Sequence, residues 1–288
     1  MSDPALPYAL YRPARLTTSV VFASPHSGRD YPADLMTRTR LDGRQIRSSE
    51  DAFVDRLFAP ATELGAALLC ARVPRAYVDL NRAADELDPA LVEGARRRGH
   101  NPRIASGLGV IPRVVAGGRP IYDGKIPLAE AEARLERCWQ PYHATLQTLL
   151  AEVHRGFGEA VLIDCHSMPH EALDAIRRNS RRRPDVVLGD RFGASADSQL
   201  VDRIEAAFTG AGLNVIRNAP FAGAYVAQHY GRPARGRHAV QIEIDRALYM
   251  DEAQIEPRAD FDAFATLMHG IIAELTELGR NDQPLAAE

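Results

Sequence analysis

Two short apolar runs end in the same way, and that repetition constrains the chain more than any other feature. Val20-Val-Phe-Ala-Ser-Pro-His-Ser-Gly28 is rich in β-branched residues, stops at Ser24-Pro25 and is followed at once by His26. Val161-Leu-Ile-Asp-Cys-His-Ser167 also closes in His-Ser, at His166. Runs of this length and composition predict strands. The second has the near-continuous apolar character of a strand buried on both faces, as in parallel sheets. Open α/β sheets bind ligands outside the carboxyl ends of their strands. Two strands that each deliver an imidazole to that rim predict a metal site.

The rest of the chain supplies the alternation such a sheet needs. Residues 1–17 contain three prolines and read as an irregular lead-in. A strand over Ser19–Ala23 is followed by irregular residues 29–49. A helix is then expected from Ser48-Ser49-Glu50-Asp51, with serine caps and acids in its first turn. Its apolar stripe is Phe53, Val54, Leu57, Phe58, Ala61 and Leu64, and Gly65 closes it. Strands are expected at Ala66–Val73 and Ala76–Leu80. From Asn81 to Pro127 periodicity is lost, which in a compact domain points to a functional stretch; short hairpin strands fit only around Ile104–Val115. Leu128 to Val153 predicts a long amphipathic helix, bent at Pro141 and ended by Gly156 and Gly158. Further strands fit Asp185–Gly189, Leu213–Ile216 and His238–Ile244, and helices fit Ser198–Ala211 and Phe261–Leu278. Gly223–Gly231 reads as a loop over one edge. The expectation is a single α/β domain over residues 18–288, with a mixed, largely parallel sheet between helical layers.

Composition narrows the partners. Net charge is −3 at pH 7, which gives no reason to expect nucleic acid or an anionic membrane surface. The first residues lack the basic-then-apolar layout of a signal peptide, and no apolar run approaches the ~20 residues of a membrane span. Cys70, Cys138 and Cys165 are widely spaced in apolar contexts, which fits neither a disulfide framework nor a Cys-x-x-Cys metal site. A reduced cytoplasmic setting and a small-molecule substrate are the expectation.

Four patches carry candidate chemistry. His26 and His166 are the first. Hydrolytic zinc commonly takes two His and one carboxylate, leaving a position for water. Glu50-Asp51, at a predicted helix start, is the candidate carboxylate pair, although helix-dipole complementarity alone also explains acids there. The third patch, Pro74-Arg-Ala-Tyr-Val-Asp-Leu-Asn-Arg82, groups Arg75, Asp79, Asn81 and Arg82. Arginine's planar fork suits a bidentate carboxylate contact, whereas a salt bridge between Asp79 and a neighbouring arginine is the plainer alternative. In the fourth, Ala239-Val-Gln-Ile-Glu-Ile-Asp245, Glu243 interrupts an apolar run. A carboxylate embedded in a strand is costly unless paired, so it is either salt-bridged or retained for chemistry. Beside a metal it is placed to act as general base and then to protonate a leaving amine. Tyr225 and His229, in the glycine-marked loop, are candidates for substrate contact. The run Arg177, Arg178, Arg181, Arg182 and Arg183 is either a solvated loop or a lid that steers a dicarboxylate. His170 reads as polar loop surface, because Pro169 rules out a helical His-x-x-x-His pair. Cys165 lies on the opposite strand face from Asp164 and reads as buried and inert.

Taken together, Ser-Pro-His-Ser-Gly28, Glu50-Asp51, Arg75 with Val-Asp-Leu-Asn-Arg82, Asp164-Cys-His-Ser167 and Gln241-Ile-Glu243 resemble, in content and order, the N-formylglutamate amidohydrolase family. Leu188-Gly-Asp-Arg-Phe-Gly193 and Asn218-Ala-Pro-Phe221 with Gly223 and Tyr225 extend the resemblance over roughly residues 20–275. It implies a zinc carboxypeptidase-like α/β fold, shared with aspartoacylases and succinylglutamate desuccinylases, and deformylation of N-formyl-L-glutamate during histidine breakdown. It implies one zinc ion on His26, His166 and an acid. The related proteins have Asp-Trp-His where this chain has Asp51-Ala-Phe, which favours Asp51 with Glu50 as the alternative. The compact His-x-x-Glu of the wider group is absent here. By the same resemblance Asn81-Arg82 grip the substrate carboxylate, Arg75 polarises the scissile carbonyl and Glu243 is the catalytic acid-base. Another N-acyl amino acid as substrate, or a binding module without turnover, are the competing readings.

Overall fold

The computed structural model describes residues 6–96, 101–174 and 183–280. Its centre is a seven-stranded sheet of β1 (Tyr8–Tyr11), β2 (Val20–Ser24), β3 (Ala67–Ala71), β4 (Ala160–Met168), β5 (Val186–Gly189), β6 (Val215–Arg217) and β7 (Arg237–Asp245). The spatial order is β1-β3-β2-β4-β7-β5-β6. Strands β3, β2, β4 and β7 run parallel. β5 is antiparallel to β7 and parallel to β6, and β1 lies antiparallel on the edge beside β3. The sheet is mixed and largely parallel, as the sequence predicts.

Period-two alternation sends the apolar side chains of these strands to two cores. Val20, Phe22, Leu68, Val161, Ile163, Val240 and Ile242 face the helices Ser198–Gly210 and Phe261–Glu277. Val21, Ala23, Leu69, Leu162 and Ala239 face the helix Gln140–Phe157, through its Tyr142, Leu146, Leu149 and Val153. The result is three layers, helices on both sides of the sheet. Among the described residues no helix is long and apolar enough to cross a membrane.

Alternation also sorts the polar residues. Asp164 and His166 share one face of β4, and Gln241 and Glu243 share the same face of β7. The parallel register sets Gln241 opposite Asp164 and Glu243 opposite His166. Cys165 points the other way, into the first core. β2 stops where Pro25 offers no backbone N–H to a ladder, and β4 stops at Pro169. Gly28 then passes so close to the next segment that a Cβ there would lie 2.0 Å from the Val73 carbonyl oxygen. Only glycine permits that approach, and it brings the His26 turn against the chain leading to Arg75.

Several local expectations are corrected. Residues 1–17 are not irregular throughout, because Tyr8–Tyr11 adds β1 to the sheet edge. Residues 29–49 contain the helix Ala33–Arg38 and a 3₁₀ turn at Ile46–Ser49. The expected helix from Ser48 to Leu64 is broken. Glu50 is extended, the Asp51 N–H donates to the His26 carbonyl at 3.0 Å, and Phe53 is left-handed at φ 66°. Helical turns resume only at Val54–Leu57 and Ala59–Thr62. Ala76–Leu80 is a turn rather than a strand, with the Asp79 N–H donating to the Val110 carbonyl at 2.8 Å. The long helix is interrupted by a π turn, Leu135–Trp139, directly before Gln140, and Gly158 at φ 80° ends it. The expected hairpin at Ile104–Val115 is a short helix, Pro102–Ala105, and a two-residue pair of Val114–Val115 with Arg119–Pro120. Gly223–Gly231 contains the helix Tyr225–Tyr230. Of the arginine run, Arg177, Arg178, Arg181 and Arg182 lie outside the described residues, while Arg183 pairs with Asp174 at 3.0 Å.

Candidate metal and substrate site

The carboxyl ends of β2 and β4 bring His26 and His166 together, with ring centroids 4.7 Å apart. The break after Glu50 swings Asp51 between them. Its Oδ2 lies 2.9 Å from His166 Nδ1 and 3.5 Å from His26 Nδ1. One donor atom from each of the three lies within 4.8 Å of the others, and all three side chains are buried. Glu50, the alternative acid, is turned away: Tyr31 donates to it at 2.6 Å and Arg47 at 3.1 Å.

Each histidine is backed by a second carboxylate. His26 Nε2 lies 2.7 Å from Asp79 Oδ1, and His166 Nε2 lies 3.0 Å from Asp164 Oδ2. A carboxylate behind an imidazole holds the Nε2 proton on its own side, so Nδ1 is the nitrogen that each ring turns towards Asp51 and would offer to a cation. His26 Nδ1 is buried without a hydrogen-bond partner. A buried, unsatisfied ring nitrogen facing a carboxylate and a second imidazole makes a group that could hold a metal ion. Burial alone would raise the Asp51 carboxyl, but the close approach of both imidazoles, with the His166 hydrogen bond foremost, holds it well below the usual carboxylate range. Burial likewise opposes an imidazolium at His166; Asp164, Asp51 and Glu243 outweigh it and push that group well above its ordinary value.

Around this cluster stand the other candidates. Glu243 faces the same cavity, and burial pushes its carboxyl up to about 7, with Asp51 adding to the shift and His166, Arg75 and Arg246 opposing it. Gln241 donates to Glu243 Oε1 at 2.8 Å and accepts the Ala224 N–H at 3.0 Å, which pins the carboxylate's rotamer. Arg75 donates from Nε to Asp79 Oδ2 at 3.0 Å, so Asp79 orients both an arginine and a histidine. Burial would raise the Asp79 carboxyl, yet Arg75, His26 and Arg82 keep it well below the usual range. The salt bridge read as the plainer alternative therefore exists, but inside the site.

Asn81 lines the cavity with both amide atoms already engaged: Nδ2 donates to Asp164 at 3.2 Å and Oδ1 accepts the Val226 N–H at 2.8 Å. Arg82 lines it as well, held by its Nε bond to the Leu108 carbonyl at 3.0 Å, while Trp139 in the π turn donates to the Arg82 carbonyl at 2.9 Å. Tyr225 does not line the cavity directly. It stands just outside the cavity, stacked on His229 and packed edge-on against His143, and Ala224 takes its place in the lining. His229 is likewise outside. His170 is exposed, with Nδ1 2.7 Å from Asp245.

Sequence reasoning missed Arg246. Buried beside the cluster, it donates to Asp51 Oδ1 at 2.9 Å and to Ser167 Oγ at 3.2 Å, leaving Asp51 Oδ2 to face the histidines. Nothing in its local pattern marks it. Asp164 was more accessible, since a residue two before His166 must share its strand face. The cavity that joins these groups has a volume of about 510 Å³, within the range of small-molecule sites. Its outer wall comes from Arg103, Leu108, Pro112 and residues 114–118 of the aperiodic stretch.

A family model described as N-formylglutamate amidohydrolase matches residues 18–250, which include every residue of the cluster. The chain belongs to the N-formylglutamate amidohydrolase family. Among its relatives, the N-formylglutamate deformylase of Pseudomonas aeruginosa is 38% identical over 267 residues, covering 90% of this chain and 91% of the relative. A protein of the same description from Pseudomonas putida is 31% identical over 242 residues, covering 82% of this chain and 83% of its own. The crystal structure of an N-formylglutamate amidohydrolase from Ralstonia eutropha superposes with a TM-score of 0.89 at 35% identity, covering 96% of this chain and 99% of that one. Fold and family thus agree with the resemblance carried by the sequence motifs.

Proposed function

We propose that residues 18–288 form one catalytic unit that hydrolyses the amide bond of N-formyl-L-glutamate, yielding formate and L-glutamate as a step of histidine degradation in the cytoplasm. The observation that carries the reading is the convergence of His26 Nδ1, His166 Nδ1 and Asp51 Oδ2 beside Glu243, within a family defined by this reaction. The donor set suits zinc, with the buried, unpartnered His26 Nδ1 as the atom that a cation would satisfy. His26, Asp51 and His166 would hold it. Bound there, zinc lowers the pKa of a water and polarises the formyl carbonyl.

The chain's own groups do the rest. Glu243, held by Gln241, removes a proton from the water that attacks the formyl carbon. Arg75, anchored through Nε to Asp79, keeps its remaining N–H groups for the carbonyl oxygen as that atom gains negative charge. When the carbon–nitrogen bond breaks, Glu243 returns the proton to the departing amine. Arg82 takes the α-carboxylate, and Asn81 serves that grip by fixing the turn and Asp164. Three buried thiols without disulfide partners support the cytoplasmic part of the reading.

A panel of N-formyl, N-acetyl and N-succinyl amino acids, assayed with chelated and zinc-restored protein, tests it. N-formyl-L-glutamate should be the best substrate, with activity lost on chelation and recovered with zinc. A better acetyl or succinyl substrate would overturn the specificity. No turnover of any substrate after zinc is restored would favour a binding module.

A further inference from the structure

We propose that Arg103 is a specificity-determining residue that reads the side-chain carboxylate of the substrate and makes the site selective for dianionic N-formyl amino acids. The inference rests on the reading above, in which the formyl group lies at the metal cluster and one carboxylate lies on Arg82.

Four guanidinium groups line the cavity: Arg75, Arg82, Arg103 and Arg246. Two of them are anchored within the catalytic cluster. Arg75 is bound to Asp79 and Arg246 to Asp51 and Ser167. Arg82 is buried at the turn that carries Asn81. Arg103 differs. It stands on the short helix Pro102–Ala105, exposed at the outer wall, and among the described residues no carboxylate pairs with its guanidinium. It is also near Arg82: burial lowers the Arg82 guanidinium, and the charges of Arg75 and Arg103 lower it further against the opposing pull of Asp79 and, more weakly, Glu86. Arg75 and Arg82 share the buried Asp79, and Glu86 is held by the Ala83 N–H and the Asn101 amide, so among the described residues Arg103 is the cavity-lining cation that an anion entering from the outer wall would meet without a carboxylate partner.

Glutamate fits that arrangement. With its α-carboxylate on Arg82, the side chain extends past Leu108 and Val114, apolar residues of the same wall that suit two methylenes. The chain ends in a second carboxylate, and the remaining unanchored guanidinium is Arg103. The backbone ties the two arginines to one loop: Arg82 Nε donates to the Leu108 carbonyl, and the Leu108 N–H donates to the Arg103 carbonyl at 2.8 Å. Their spacing is set by Leu108.

The experiment compares kcat/KM for N-formyl-L-glutamate and N-formyl-L-glutamine in the zinc-loaded wild type, Arg103→Ala and Arg103→Lys. Arg103 is exposed, so substitution should leave folding intact, and turnover of the glutamine substrate verifies that. Arg103→Ala should lose roughly tenfold on the glutamate substrate, chiefly through KM, with the glutamine substrate within about twofold. Arg103→Lys should recover part of the loss. An equal loss on both substrates, no loss on the glutamate substrate, or a wild type indifferent between the two overturns the proposal. Turnover of neither substrate by the wild type refutes the functional reading itself, and the proposal falls with it.

Discussion

Replacing Asp79 with asparagine tests whether the carboxylates behind the histidines are part of the metal site. His26 Nε2 lies 2.7 Å from Asp79 Oδ1, and Arg75 Nε donates to Asp79 Oδ2 at 3.0 Å. An aspartate accepts on both sides. An asparagine can accept on one only, because its other terminal atom is an NH₂ group that would face a second donor. Either His26 loses its orientation and basicity or Arg75 loses its anchor. Asp79 is 1% exposed, so water cannot replace the missing acceptor. Loss of such a partner commonly weakens metal binding by about 10- to 100-fold, which is about 1.4–2.8 kcal/mol. The full range is expected here, given the burial. A competition titration of zinc against a chromophoric chelator measures it directly, with Glu50→Gln as a control that should leave the dissociation constant unchanged. An Asp79→Asn protein that binds zinc within twofold of wild type would refute the reasoning.

Two further outcomes follow from single side chains. Glu243→Gln should keep zinc and lower kcat by about 10²- to 10⁴-fold, the usual contribution of a general acid-base, and near-normal turnover with metal bound would remove Glu243 from the mechanism. His143 is buried with Nε2 2.9 Å from the Leu80 carbonyl and Nδ1 2.9 Å from the Tyr230 hydroxyl, and burial lowers it to about 3 from an ordinary 6.5. Below pH 6.5 the unfolded chain takes up a proton that the folded His143 refuses, so stability is lost as pH falls towards 3; denaturant titrations from pH 6 to 4 should show wild type losing about 1.4 kcal/mol per unit more than His143→Gln, whereas parallel curves would contradict the assignment.

The sheet was legible because its inner strands carry strong apolar runs and two of them end at recognisable residues, Pro25 after β2 and Pro169 after β4. Long elements with a clear period, such as Ser198–Gly210 and Phe261–Glu277, were legible for the same reason. Short elements were not. The segment from Ser48 to Leu64 has caps, an apolar stripe and a closing glycine, every local sign of one helix. Its break comes from tertiary contacts, the Asp51 N–H on the His26 carbonyl and the left-handed Phe53, which no periodicity registers. Tyr8–Tyr11 lies among prolines and becomes a strand only because β3 offers an open edge.

That same break explains what could and could not be read of the site. A continuous helix would have carried Glu50 and Asp51 as neighbouring first-turn acids, equivalent candidates for a ligand. With the helix broken, the two carboxylates part: Glu50 goes to Tyr31 and Arg47, and Asp51 goes to two imidazoles and Arg246. Arg246 comes from just beyond β7 and reaches Asp51 across 195 residues of sequence, so no local pattern pairs them. By contrast Asp164 with His166, and Gln241 with Glu243, are pairs two residues apart on strands, and their shared face follows from pleat geometry alone. The strand-borne half of the site is thus written in local spacing, while the candidate ligand carboxylate and its arginine are chosen by packing. The Asp51 Oδ2 that faces the histidines is free to do so because Arg246 occupies Oδ1, so the turn that follows β7 shapes the candidate metal cluster while β7 itself carries the proposed base.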